Sequence, residues 1–223
     1  MKNNLFLQAF KKIIAGFVAI GVLLFLPAGT LHYWNAWLFV AVLFVPMIFL
    51  GIVMLFKTPK LIEKRLYAKE KVNEQKWVVA LSGIMFVAAF VVAGLNFRYS
   101  WHSLPDYVIW SGTVIFLLSY LMYAEVMREN AFLSRTIEIQ ENQKVIDTGL
   151  YGVVRHPMYS ATLIMFLSIP LILGSIISFA IMLAYIPIIA VRMNNEEKVL
   201  EEGLIGYRDY KQKVRYKVIP FVW

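Results

Sequence analysis

Two groups of polar side chains flank an interrupted apolar run in the last third of this 223-residue chain. On the entry side, in "DTGLYGVVRHPMYSA", stand Tyr151, Arg155, His156 and Tyr159; on the exit side, in "VRMNNEEKVLEEG", stand Arg192, Asn194, Asn195, Glu196 and Glu197. If the run between them, Tyr159 to Val191, folds as a helical hairpin, the chain returns to the height at which it left and the two groups face one another. Together they make one candidate site. The residue types suit a small molecule carrying several charges. Carboxylates accept hydrogen bonds from an ammonium, arginine holds a carboxylate in a two-pronged pair, and tyrosine faces attract a sulfonium or quaternary nitrogen. Pro157 suits the first turn of the following helix, where its missing N–H costs nothing and the free amides favour an anionic group.

S-adenosylmethionine carries all three target groups. The same residues also admit a plainer reading, in which Arg155 and His156 are interfacial anchors and Glu196, Glu197, Glu201 and Glu202 form the solvated face of a helix. Glu125, near one end of a span, is expensive against lipid and either serves the site or pairs with Arg128 one turn on. With no cysteine in the chain, disulfides, thiolate metal sites and cysteine nucleophiles are excluded, and no metal site is expected. Nothing reads as a glycine-rich nucleotide loop between a strand and a helix.

The elements that must position these groups are membrane helices. Hydrophobic residues make up 60% of the chain and the mean hydropathy is +0.66, so a soluble globule is a poor fit. Runs of spanning length are legible at Ile13–Thr30, Trp34–Phe56, Trp77–Phe97 and Tyr107–Met127. The first outlasts a signal peptide and lacks a cleavage motif, which predicts a retained helix. The stretch from Tyr159 to Val191 is too long for one span and is broken at Pro170, Gly174 and Ser175, which predicts two short or tilted helices that either cross or re-enter. Six crossings with both termini cytoplasmic place every Lys and Arg except Arg98 on one side, as a bacterial inner-membrane protein requires. His32 and His102 then fall on the opposite side as interface residues. The net charge of +8 accompanies these spans and points to anionic lipid as partner, not nucleic acid. The expected fold is thus an all-α integral membrane protein of about six hydrophobic helices. A four-span region, 1–127, precedes a site-bearing region, 128–223, and the alternation of "TIEIQENQKVI" predicts a short β-hairpin between them.

"TGLYGVVRHPMYSA", followed by "VRMNNEEKVLEEGLIGYRDYKQKVRYKVIP", resembles the C-terminal signature of the isoprenylcysteine carboxyl methyltransferase and phospholipid methyltransferase superfamily: R-H-P-x-Y, a hydrophobic hairpin, R-x-x-x-E-E and a closing Y-x-x-Y. The resemblance covers roughly residues 120–223, and "ENAFLS" with "KVRYKVIPFVW" is similar to a bacterial isoprenylcysteine methyltransferase-like branch. It implies an integral-membrane methyltransferase that uses S-adenosylmethionine and takes a lipidic or isoprenylated acceptor from the bilayer. By the same resemblance Tyr151, His156, Tyr159 and Glu196, with Arg155 and backbone from Gly149 to Val154, contact the cofactor, while Arg192 and Glu197 act near the acceptor. Two departures bear on the subfamily. Leu150 stands where relatives usually have proline, and Gly206 directly precedes Tyr207.

An ionised carboxylate acceptor needs no base, and Arg192 would orient it; an amine, as in phosphatidylethanolamine, must first lose a proton, to Glu197 or His156. The resemblance favours carboxyl O-methylation, with phospholipid N-methylation as the alternative. A non-catalytic transporter or assembly factor is a third reading, against which the polar groups lie at one end of the spans instead of at the midplane.

Overall fold

The computed structural model describes residues 2–57, 73–133, 136, 137 and 139–223. The chain runs through α1 (Lys2–Ala28), α2 (Trp34–Lys57), α3 (Asn73–Tyr99), α4 (Asp106–Glu129), a 3₁₀ turn (Gly149–Gly152), α5 (Pro157–Ile172), α6 (Ile176–Met182), α7 (Tyr185–Gly203) and α8 (Tyr207–Lys213). Among the described residues five stretches are long and apolar enough to cross a membrane: Phe6–Ala28, Trp34–Lys57, Lys76–Tyr99, Asp106–Glu129 and Ile176–Gly203. Large apolar side chains such as Leu26, Ile84 and Leu121 point outward from them, which in water would be an aggregation surface and in lipid is the ordinary exterior. The chain is an all-α integral membrane protein. The basic segment between the second and third spans, with Lys60, Lys64, Arg65, Lys69 and Lys71, lies outside the described residues, as does Arg135.

The bundle interior has two apolar clusters. One joins Leu24, Tyr33, Phe39, Phe90, Phe116 and Ile172 from α1 to α5; the other joins Met85, Leu163, Met182, Tyr185, Ile189 and Met193 from α3, α5, α6 and α7. Helix α5 lies most extensively against α4. Gly112 sets their approach: a Cβ there would stand 2.8 Å from Leu171 Cβ, next to the α5 backbone. Gly112→Ala should therefore force the two helices apart and lower stability by about 1–3 kcal/mol, the usual cost of overpacking. A thermal unfolding scan in detergent checks this.

The predicted break occurs, at Leu173–Ser175, and it settles how far the hairpin travels. Its corner is fastened to the loop between α3 and α4, where Leu104 N–H donates to Gly174 O at 3.1 Å and Ser103 bridges Ser175. The buried carbonyls left at the end of α5 are satisfied from the start of α2: Tyr33 Oη donates to Leu173 O at 2.5 Å and Asn35 Nδ2 to Ile172 O at 3.1 Å. Ser175 caps α6 by accepting from Ser178 N–H. The hairpin thus reaches the end of the bundle opposite the polar clusters and does not stop half-way. Pro170 sits inside the last turn of α5 without ending it.

Helix α4 has 24 residues and α5 has 16. Tyr123, near the polar end of α4, and Asn130, just past it, form one wall of the site. The β-hairpin expected over 136–146 is absent among the described residues, although the chain does turn at Glu141–Asn142, where Asn142 has φ +57°. Its flanks are engaged otherwise: Gln140 Nε2 donates to Phe132 O, and Val145 packs beside Leu200 and the Leu204–Tyr207–Tyr210 cluster.

Candidate functional site

The entry loop is built around Gly149. Its φ is +50°, and a Cβ there would lie 2.3 Å from Glu129 Oε1, so both backbone and space demand glycine. The Glu129 carboxylate at the end of α4 accepts from Thr148 Oγ1 at 2.9 Å and from Leu150 N–H at 3.3 Å, fixing the 3₁₀ turn. Tyr151 is then held from two directions: Asn130 Nδ2 donates to its hydroxyl at 2.9 Å, and Tyr210 Oη donates to its carbonyl at 2.7 Å. Burial pushes the Tyr151 and Tyr210 phenols well above their ordinary range, so both stay neutral donors at any working pH. Gly149→Ala should cost about 1–2 kcal/mol for the left-handed backbone alone, with the Glu129 clash added. Equilibrium unfolding beside Leu150→Ala tests it, since the latter leaves the turn's backbone unstrained.

Arg155 and His156 follow, and their successive backbone amides are both taken up by the final segment of the chain. Arg155 N–H donates to Tyr216 O at 2.9 Å, His156 N–H to Lys217 O at 2.8 Å, and Ser160 Oγ to Val218 O at 2.6 Å. The Arg155 guanidinium is buried and fully engaged, donating through Nε to Glu197 Oε1 at 2.7 Å and through one terminal nitrogen to Val214 O and Arg215 O at 2.8 and 2.7 Å. His156 Nε2 lies 3.1 Å from the same Glu197 oxygen, and Lys211 and Lys217 Nζ each stand 3.5 Å from the other. Glu197 is thus the hub of a buried ion network that welds α5, α7 and the final segment together.

Helical phase separates the adjacent glutamates. On α7, Arg192 and Glu196 lie one turn apart on one face, and Glu197 is turned about 100° from them. Tyr159 Oη donates to Glu196 Oε2 at 2.5 Å and accepts from Arg192 Nε at 3.1 Å, so α5 and α7 share a continuous polar chain. Behind it, Thr162 Oγ1 and Tyr185 Oη are 3.1 Å apart.

These elements enclose a cavity of about 330 Å³ at the polar end of the bundle. Of the residues predicted for the site, Tyr151, Arg155, His156, Tyr159, Arg192 and Glu196 stand in its wall. Gly149, Val154 and Glu197 do not: Gly149 faces Glu129, Val154 is packed in the interior, and Glu197 is behind the wall in the ion network. Tyr123, Asn130, Ile146, Tyr207 and Tyr210 are among the other residues of the lining. Glu129, though outside the wall, shapes it through the turn. Glu125 pairs with Arg128 at 2.6 Å on an exposed surface, the structural alternative for that residue. Tyr207 is the most telling of the residues missed. Its hydroxyl is fully buried and has no hydrogen-bond partner, an arrangement that leaves a strong donor unsatisfied beside the cavity.

The match to known proteins falls on this region. Residues 107–204, from the first turn of α4 to the end of α7, match the family described as phospholipid methyltransferase. Over this stretch the chain is similar to the isoprenylcysteine carboxyl methyltransferase and phospholipid methyltransferase superfamily. The match supports a membrane methyltransferase of that kind. The matched region contains Glu129 with the entry turn that it fixes, the α5–α7 hairpin and the Arg192–Glu196 face. Tyr207, Tyr210 and the segment that clamps Arg155 lie beyond it.

Proposed function

We propose that the cavity binds S-adenosylmethionine and that the protein esterifies the carboxylate of a lipidic or isoprenyl-bearing acid. The single observation that carries the reading is the lining itself, in which tyrosine faces, one carboxylate and two guanidinium groups converge on about 330 Å³, at the small end of small-molecule sites. The cofactor brings a methyl group made transferable by its sulfonium, together with an ammonium, a carboxylate and an adenine. The residues present fit it. The unpartnered Tyr207 hydroxyl is a buried donor in need of an acceptor, Glu196 offers carboxylate oxygens to an ammonium, and the Tyr151 and Tyr159 rings offer electron-rich faces to a cation.

In this reading Tyr151, His156, Tyr159 and Glu196 contact the cofactor, and Gly149, Val154 and Arg155 give the surrounding loop its shape. Arg192 orients the acceptor carboxylate. Glu197 is a positioning residue: enclosed by Arg155, His156 and two lysines, it holds the wall together and does not reach the reacting atoms. The protein's work is to align donor and acceptor and to keep water out.

The engagement of the two carboxylates supports a carboxylate acceptor. Glu196 already accepts from Tyr159, and Glu197 is committed to its network, so neither carboxylate is poised to take a proton from an amine. A carboxylate acceptor arrives ionised and asks for none. Val79, Tyr123 and Thr162, on three membrane helices, border the cavity and give an apolar acceptor a wall to lie against. The family description favours a second reading, N-methylation of phosphatidylethanolamine. The bias of Lys and Arg to the face that bears the site supports a cytoplasmic location for it.

Nanodisc-embedded protein with methyl-labelled S-adenosylmethionine separates the readings. Label transferred to an isoprenylated cysteine analogue or a fatty acid, and released as methanol by alkali, supports the ester. Alkali-stable label on phosphatidylethanolamine replaces it with the second reading. No transfer to either class contradicts both acceptors.

A further inference from the structure

The segment after α8 does more than clamp Arg155. Val214 to Val218 lie along the entry of α5, and Val218 is buried in the α3–α5–α6–α7 cluster, with Trp223 packed against it. Between these two anchors the chain makes a closed loop, in which the amides of Lys217, Val218 and Ile219 all donate to Trp223 O at 2.9–3.0 Å. The loop tip carries Phe221, 86% exposed, and Val222, 77% exposed, with Ile219 partly exposed beside them. Phe221 has φ +64°, a left-handed conformation that a bulky residue adopts only when its surroundings impose it. Pro220 stiffens the turn further. A rigid tip with two outward apolar side chains is an odd ending for a segment flanked by Lys213, Arg215 and Lys217 unless it meets something apolar.

Its height says what. Val218 O accepts from Ser160 in the first turn of α5, so the loop stands where that apolar helix enters the bundle. We propose that Ile219, Phe221 and Val222 form a monotopic anchor that sits at the boundary between headgroups and acyl chains, with exposed Arg215 among anionic headgroups. The pattern of apolar tip and basic flank is that of interfacial segments generally. Because the same segment supplies Val214 O, Arg215 O, Tyr216 O and Lys217 O to Arg155 and His156, the anchor fixes the depth of the cavity's entrance relative to the leaflet. The inference rests on the membrane reading of the chain and not on the proposed reaction.

Since the chain has no cysteine, single nitroxide labels are straightforward. Phe221→Cys and Val222→Cys would be labelled in nanodiscs containing phosphatidylglycerol. Glu202→Cys serves as an aqueous reference and Leu118→Cys as a lipid reference. The expected result is an oxygen-to-nickel accessibility ratio at 221 or 222 several-fold above that at 202 and approaching that at 118. Label 222 guards against loss of the Phe221 ring itself. Ratios at both positions equal to that at 202 overturn the anchor, and dipolar broadening between labels on two copies would replace it with self-association. Neither outcome depends on methyl transfer, so failure here and failure of the enzymatic reading are distinguishable.

Discussion

Replacing Glu197 with alanine is expected to lower stability by about 3–5 kcal/mol, the cost of breaking a buried ion pair and leaving its partner uncompensated. Arg155 is 6% exposed and His156 5%, so neither can turn to water when the carboxylate is gone. Both share Oε1, and Lys211 and Lys217 approach Oε2, which makes the loss collective and not pairwise. The consequence spreads to the site because Arg155 also holds the carbonyls of Val214 and Arg215. Unfolding in detergent, followed by helical ellipticity, reads the change. A double replacement, Arg155→Met with Glu197→Met, should cost markedly less than Glu197→Ala, since apolar residues of similar volume leave no charge stranded. A Glu197→Ala variant within about 1 kcal/mol of the parent would mean that the network is superficial.

The second large effect concerns Arg192. Its alanine variant should lose methyl transfer by roughly a hundredfold or more, the usual consequence of misplacing a reacting group by about 1 Å. Its affinity for S-adenosylhomocysteine should change by no more than about threefold, because in the proposed arrangement the guanidinium serves the acceptor. The Arg192 side chain reaches the cavity through Tyr159 Oη, and lysine cannot reproduce its planar fork, so Arg192→Lys should recover little. Single-turnover transfer beside calorimetric affinity separates the two effects. Loss of cofactor affinity with normal residual turnover would reverse the assignment.

How far the sequence disclosed this arrangement depends on the range of each interaction. Spans are legible because twenty apolar residues in a row have one cheap solution, and the hairpin's break at Gly174 and Ser175 was visible as local chemistry. The juxtaposition of Tyr159 with Glu196 followed from hairpin return alone. What the sequence did not disclose was the division of labour between Glu196 and Glu197, because it depends on the rotational phase of α7 against α5 and on a tail that could have lain anywhere. Glu129 and Asn130 enter the sequence reading only within "ENAFLS", with no role of their own, since a polar pair at a span end has no evident task until Gly149 is seen pressed against the carboxylate. Tyr207 could not be singled out from a run with several tyrosines; its significance is an absence of partner, which only packing creates. The β-hairpin expected over 136–146 failed for the converse reason, as alternation is a local signal and those side chains are taken up by the cavity and by Leu200.

The central claim is that the cavity between α4, α5, α7 and α8 is an S-adenosylmethionine site. Calorimetric titration of the nanodisc-embedded protein with S-adenosylhomocysteine, run beside Glu196→Ala and His156→Ala, tests it most directly. Stoichiometric binding by the parent, weakened at least tenfold in both folded variants, is the predicted result. Absence of binding by folded parent protein in lipid, or affinity unchanged in both variants, would contradict it.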